Sequence, residues 1–276
     1  MNIKKEVKLI NKVKRLLTQL GHPRYLHHFG PKTYEFYEHL TALFIRAYCR
    51  LSYRRVVYFT EMIGIICPSK SALQYTADKL RGSFWDKLIG VTSGKPNLAA
   101  IDSTGLSRTN PSYYYLGRID GKMPKMHVKL SVMFDVIKKK FCSTKIRVIP
   151  AHDCRDAKIL LEKAKPSILV ADKGYDANWL HEYCFSEHVE AHIPIREYGK
   201  SRNKRMSKRR LAAKIFDKEI YHKRELIESG FSSIKRKFGS SVNSKKASTI
   251  KSEIYSRLVC HNIFQMLLLR LRTEPL

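Results

Sequence analysis

Two short apolar runs constrain this chain more than anything else in it: LAAID at 98–102 and ILVAD at 168–172. Each has the length of a buried strand and closes on an aspartate, so each carboxylate is expected at a strand's carboxyl end. Open α/β sheets favour that edge for active sites. One such acid alone is more often structural, bonded to loop amides. A pair followed by a third acid points toward chemistry. KLSVMFDVI (129–137) and STKIRVIPA (143–151) read as two further strands, with a turn at Lys138-Lys139-Lys140 between them, and EAHIPI (190–195) reads as another. AKILLEKAK (157–165) and ANWLHEYCFSEH (177–188) read as helices, and more helices follow at about 222–238 and 251–272. Strands first and then helices alternating with strands predict an α/β fold, a mixed sheet covered by helices.

The character of the chain changes at SGKPNL (93–98), which suggests a helical region over 1–92 and a sheet-based domain over 93–276. Ile3, Val7, Ile10, Val13, Leu17 and Leu20 recur at helical spacing until Gly21-His22-Pro23 stops the run. A second helix is expected over roughly 32–50. Residues 51–80 then read as a helix ending near Gly64, a short turn with Pro68, a Ser69 cap and a helix from Lys70 to Leu80. Two helices around a short Gly-containing turn suit a helix-turn-helix whose second helix enters a major groove. Lys70, Ser71, Gln74 and Tyr75 are its groove-facing candidates. An ordinary helical hairpin satisfies the same pattern.

Charge narrows the class of partner. The chain carries 53 Lys and Arg against 24 Asp and Glu, a formal net charge of +29. Such a surplus draws in polyanions, with nucleic acid foremost, and predicts binding that weakens steeply with salt. The six cysteines form no CxxC pair and no Cys/His cluster, which argues against a disulfide framework or a zinc site. MNIKKEVKLINKVKRLL lacks the uninterrupted apolar stretch of a signal peptide. IFQMLLLRLR is too short to span a bilayer. A cytoplasmic protein with no membrane partner is expected. Residues 196–218 hold ten Lys and Arg and read as a basic loop or arm.

Against that basic background, YHKRELIESGFSSIKRKFG (221–239) contains two glutamates, Glu225 and Glu228. At ~100° per residue, Tyr221, Arg224, Glu228 and Lys235 fall within a sector of roughly 60°, while Leu226, Ile227, Phe231 and Ile234 lie opposite. Such a helix can pack its apolar face on a sheet and present Glu228 to a site. Glu225 lies about 60° around from Glu228, so helical phase alone leaves both open. A solvated, salt-bridged surface helix shows the same charge mixture.

The spacing Y-x2-R-x3-E-x6-K, filled by Tyr221, Arg224, Glu228 and Lys235, resembles the signature of insertion-sequence DDE transposases with a ribonuclease-H-like catalytic domain. AIDSTGL around Asp102 and ADKGYDA around Asp172 resemble that family's first two acidic motifs, in the expected order. The resemblance spans about residues 98–265 and implies that Asp102, Asp172 and Glu228 are the catalytic, metal-holding acids, choosing Glu228 over Glu225. It implies phosphate contacts by Arg224 and Lys235 and a site-shaping, DNA-facing role for Tyr221. Lys173 joins the expected DNA contacts, with Lys70 and Gln74 from the N-terminal region. Two molecules on paired ends, localisation with the nucleoid, and double-stranded DNA partners (terminal inverted repeats and target) are implied as well. The basic stretch 196–218 sits where related enzymes carry an insertion, and here it is short.

The chemistry suits the residue types independently. Cutting a phosphodiester needs an activated oxygen, charge neutralisation at phosphorus and a stabilised leaving oxygen, which two divalent ions roughly 4 Å apart can supply. Mg2+, with Mn2+ as substitute, takes a few carboxylates plus water and substrate phosphate. Asp153, Asp156 and Asp176 are expected in supporting or structural roles, and His152 as a satisfied histidine or an orienter of one acid. Trp179 is expected in the core of its helix, with stacking on a flipped base as the alternative. Tyr113, Tyr114 and Tyr115 either stack on DNA or cover the sheet. Two rivals share the charge pattern: a catalytically inactive, sequence-specific DNA-binding protein derived from a transposable element, and a general nuclease. The first has no need of the three acids together.

Overall fold

The computed structural model describes residues 3–27, 29, 32–108, 127–149, 151–196 and 207–273. Five strands form one mixed sheet: β1 (Leu98–Ser107), β2 (His127–Asp135), β3 (Lys140–Arg147), β4 (Ile168–Ala171) and β5 (Glu190–His192). Their spatial order is β3-β2-β1-β4-β5. The pairs β1–β2 and β2–β3 are antiparallel, whereas β4 joins β1, and β5 joins β4, in parallel. The two short apolar runs are therefore neighbours, registered from Leu98 opposite Ile168 to Ile101 opposite Ala171. β3 starts at Lys140, earlier than the sequence suggests. The reversal occupies the four residues before it, where the Asp135 carboxylate accepts the Ile137 and Lys138 amides at 2.9 and 2.8 Å.

Helices cover both faces. On one lie α1 (Ile3–Gln19), α2 (Phe36–Tyr48), α5 (Gly82–Ser93), α10 (Leu226–Phe238) and α11 (Ala247–Thr273), whose apolar side chains share a single core with Leu98, Ala100, Leu130, Phe134 and Val170. On the other lie α6 (Cys154–Ala164) and α7 (Asn178–Ser186), packed on Ala99, Ile101, Leu169 and Ala171. Alternate side chains along β1 and β4 thus feed opposite cores, as the period of a strand requires. α1, α2 and α5 share the sheet's own core, and α5 itself runs to Ser93.

α3 (Tyr53–Met62) and α4 (Lys70–Lys79) form a short-linked pair with a small apolar cluster built on Ala42, Ile45, Val56 and Leu73. Ser52 caps α3 by accepting the Arg55 amide, and Ser69 caps α4 by accepting the Ala72 amide. Gly64 leaves α3 at φ +69°, a conformation that favours glycine.

The basic stretch departs from the expected loop. Residues 197–206 lie outside the described residues, but beyond them α8 (Lys208–Lys214) and α9 (Lys218–His222) are helical. A 3-10 turn at Lys223–Glu225 then joins α9 to α10, so 221–238 is not one regular α-helix. Leu226, the first residue of α10, stands about 100° around the helix from Ile227 and is 38% exposed, while Ile227, Phe231 and Ile234 are buried as expected.

α10 approaches the sheet at Gly230, where an added Cβ would lie 2.9 Å from Cε2 and 3.0 Å from Cζ of Phe134 on β2. Phe134 is 2% exposed and cannot move aside freely. Gly230→Ala is therefore expected to cost about 1–3 kcal/mol, the usual range for overpacking. Urea denaturation should show the loss, and Phe134→Leu in the same chain should recover part of it.

Candidate active site

The parallel register carries the first two acids to one place. Asp102 and Asp172 each follow the last registered pair, Ile101 opposite Ala171, on strands that neighbour at about 4.8 Å. By strand alternation Asp102 is in phase with Leu98 and Ala100, and Asp172 with Val170, which is the face that α10 covers. Each carboxylate also accepts the amide that follows it, Ser103 N–H at 2.7 Å and Lys173 N–H at 2.6 Å. The second bond caps the 3-10 turn Lys173–Tyr175.

Arg224 joins these acids to the third. Its guanidinium lies 3.8 Å from Asp102 and donates to Glu228 at 3.2 Å. Burial works against its charge, but Tyr221, Asp102, Glu228 and Asp172 together outweigh burial and raise its pKa. One cation thus sits in the field of all three carboxylates. Asp102 has the complementary problem. Burial pushes its pKa up and Asp153 and Asp172 add to that, against the opposing pull of the Ser103 amide and Arg224.

The other face of β1 supplies a brace. Ser103 donates to Asp153 at 2.6 Å, and Lys129 from β2 pairs with the same carboxylate at 2.5 Å and also donates to the Ala151 carbonyl. Tyr175 is 2% exposed in this region, and its hydroxyl has no hydrogen-bond partner among the described residues. Burial raises its pKa strongly, with Asp153 and Asp102 adding to the shift. Asp176 anchors α8 behind the loop that follows Asp172. It accepts Arg209 Nε and Nη2 at 2.8 and 2.6 Å, the Arg196 amide at 2.7 Å and His181 at 3.0 Å. Asp156, fully buried, is structural and accepts from Ser131 and Arg147.

The remaining sequence candidates scatter. Lys173 is exposed beside Asp172, and Tyr221 is half-buried with its ring 5.4 Å from that of Phe216. Lys235 lies in the last turn of α10, half-buried, two turns from Glu228. Lys70 and Gln74, with Ser71 and Tyr75, lie on α4, which packs on α2, α3 and α11 away from the acids; Lys70, Gln74 and Tyr75 are exposed there. Glu225 is exposed. Trp179 corrects the expectation of core packing: it is 42% exposed on α7. His152 is exposed, and its Nδ1 accepts the Cys154 amide at 3.4 Å, a local turn bond that orients none of the acids. Tyr113, Tyr114 and Tyr115 lie outside the described residues. Among the described residues no group of three His, Cys, Asp or Glu is gathered closely enough to hold a metal ion; the carboxylates surround Arg224 instead. The braces on Asp153 and Asp176 escape sequence reasoning because their partners, Lys129 and Arg209, are distant in the chain and carry no spacing signal.

The family model described as Transposase DDE domain matches residues 93–263, more than half of the chain, and the chain belongs to this family. A solved structure similar to it is the cryo-EM structure of the piggyBac transposase synaptic complex with hairpin DNA. That structure is 11% identical, the match covers 94% of this chain and 72% of that chain, and the two superimpose with a TM-score of 0.49. No curated protein matches the chain. No helix among the described residues is long and apolar enough to cross a membrane.

Burial raises the pKa of Asp176, but Arg209, the Arg196 amide and His181 prevail and hold it at about 2, below its ordinary 3.8. A carboxylate depressed in this way stabilises the fold above its unfolded pKa and loses that contribution as pH falls through the folded value. The thermal midpoint of the wild type should therefore exceed that of Asp176→Asn above about pH 4, and the gap should close toward about pH 2. Melting curves of both proteins across that range check this.

Proposed function

We propose that this chain is an active transposase that cleaves the ends of its insertion sequence and joins them to target DNA. Its sheet serves as a ribonuclease-H-like core, and Asp102, Asp172 and Glu228 are its catalytic acids. The observation that supports this most is the placement of Arg224 in the field of all three carboxylates. A cation standing among like charges offsets their repulsion. The donor set, all carboxylate and partly open to solvent, suits Mg2+ or Mn2+ rather than a softer metal. Asp102, Asp172 and Glu228 would hold two such ions. When bound, the ions activate an oxygen nucleophile, neutralise the phosphoryl group and stabilise the leaving oxygen.

The rest follows from this chain's own side chains. Arg224, released from the acids, offers a planar fork that pairs with phosphate in a bidentate manner. Tyr221, which acts electrostatically on Arg224, shapes the site beside it. Lys235 and Lys173 supply point charges to the flanking backbone, and Lys70 and Gln74 read the element's end as a helix-turn-helix would. Hydrolysis frees a 3′-OH at each end, which then attacks target DNA. Two molecules act on paired terminal inverted repeats, associated with the nucleoid in the cytoplasm. The helical region 1–92 serves DNA recognition, and 93–276 serves catalysis.

Asp102→Asn is expected to lower cleavage and joining by on the order of 10³-fold or more while duplex binding persists. Glu225→Gln, a change at an exposed position, should stay within about twofold of wild type. The assay incubates the protein with its own flanking DNA and maps nicks, with chelation abolishing them and Mg2+ or Mn2+ restoring them. Normal nicking by Asp102→Asn sinks the assignment. Binding with no nicking by the wild type in Mg2+ favours the inactive DNA-binding protein instead.

A further inference from the structure

Away from the acids, a groove of about 480 Å3 opens between the α4–α5 junction, the edge strand β3, the end of α6 and the start of α11. Its lining is charged but unevenly balanced. The two acids in it are already occupied: Asp86 pairs with Lys163 at 2.8 Å and accepts Tyr255 at 3.2 Å, and Asp78 pairs with Lys246 at 2.8 Å and accepts Ser248. Three of its cations, Arg81, Lys145 and Lys251, have no hydrogen-bonding or ion-pair partner among the described residues. Each comes from a different element, so their convergence is a product of the fold and not of a local charge run. Trp85 forms part of the wall at 1% exposure, stacked on Tyr255 at 5.7 Å. Cations without partners from three elements call for a ligand rich in acceptor oxygens and negative charge.

We propose that this groove grips the phosphodiester backbone of duplex DNA at a place separate from the catalytic acids, an inference that rests on the proposed DNA-acting role. One observation favours a long duplex over a small phosphate compound. Lys79 and Arg81 continue directly from α4, whose exposed side carries Lys70 and Gln74, so helix and groove form one basic track. Lys145, in the cross-strand row Ser103–Ser131–Lys145, belongs to the sheet face opposite Asp102, which keeps the groove separate from the acids.

The test compares Arg81→Ala/Lys145→Ala/Lys251→Ala with a control of equal charge, Lys87→Ala/Lys95→Ala/Lys158→Ala, which removes exposed lysines outside the groove. Binding of a labelled duplex is titrated against salt without divalent metal, so catalysis plays no part. The groove variant is expected to bind more weakly, with a log–log salt slope shallower by about 0.9 for each phosphate it no longer neutralises. The control should keep nearly the wild-type slope, and Arg81→Lys/Lys145→Arg/Lys251→Arg should bind as the wild type does if charge at the groove is what matters. Equal slopes for the groove variant and the control overturn the proposal. So does displacement of duplex by inorganic phosphate, at matched ionic strength, from wild type but not from the groove variant, because it reassigns the groove to a small phosphate compound. A wild-type protein that nicks its own ends while the groove variant binds normally leaves the transposase reading standing and removes the groove alone. A wild type that binds no duplex removes both.

Discussion

The parallel pairing of β1 with β4 is the constraint on which the rest depends. It sets two apolar runs side by side with Ile101 opposite Ala171, and so brings Asp102 and Asp172 to one sheet edge on one face. A slip of one residue would turn either carboxylate to the other face, toward α6. Buried strands on both sides of the sheet make that slip costly, because Ala100 and Val170 would have to exchange cores with Ile101 and Ala171. The hydrophobic pattern of the two short runs thereby decides where the charged residues stand.

A second constraint fixes the third acid. α10 sits against β2 at Gly230 and ends at Gly239, with φ +90°, where the chain turns back toward α11. That turn is held by a buried ionic network. Glu253 of α11 pairs with Arg257 at 2.6 Å and with Arg46 of α2 at 3.4 Å, and accepts the Ser244 amide and hydroxyl. Arg257 in turn donates to the Gly239 and Ser241 carbonyls, and Arg50 to the carbonyls of Arg236 and Lys237 at the end of α10. Burial alone would push the Glu253 pKa up, yet Arg46, Arg257 and its hydrogen bonds hold it down. The paired charges satisfy one another, whereas removal of a single partner would leave an uncompensated buried charge. The N-terminal helices are thus tied to the helix bearing Glu228 through Arg46 and Arg50.

Much of this is legible in the sequence, and what is not has an identifiable cause. The strands around Asp102 and Asp172 announce themselves by apolar runs, and the cap at Ser69 by residue type. The period-3.6 pattern of 226–238 marks the buried face of α10 from Ile227 onward. It fails at Leu226, which stands about 100° around the helix from Ile227 and so falls at the edge of the buried face. Trp179 misleads for a related reason: an aromatic in a short helix beside two buried neighbours, Leu180 and His181, reads as core when its own phase points outward. Lys129 on Asp153 and Arg209 on Asp176 cannot be read at all, since each joins residues far apart in the chain through the fold alone.

Charge explains why so few acids suffice. In a chain of net charge +29, several buried carboxylates are spoken for by a specific base: Asp156 by Arg147, Asp176 by Arg209, Glu253 by two arginines. The group around Arg224 differs, because one guanidinium serves three carboxylates and neutralises none of them fully. Such a cluster is held together by a cation that another cation can replace. On the proposed function, Asp102, Asp172 and Glu228 would hold the divalent ions, and Arg224, which stands beside Asp102 and Glu228, is placed to pair with the phosphate of the scissile strand.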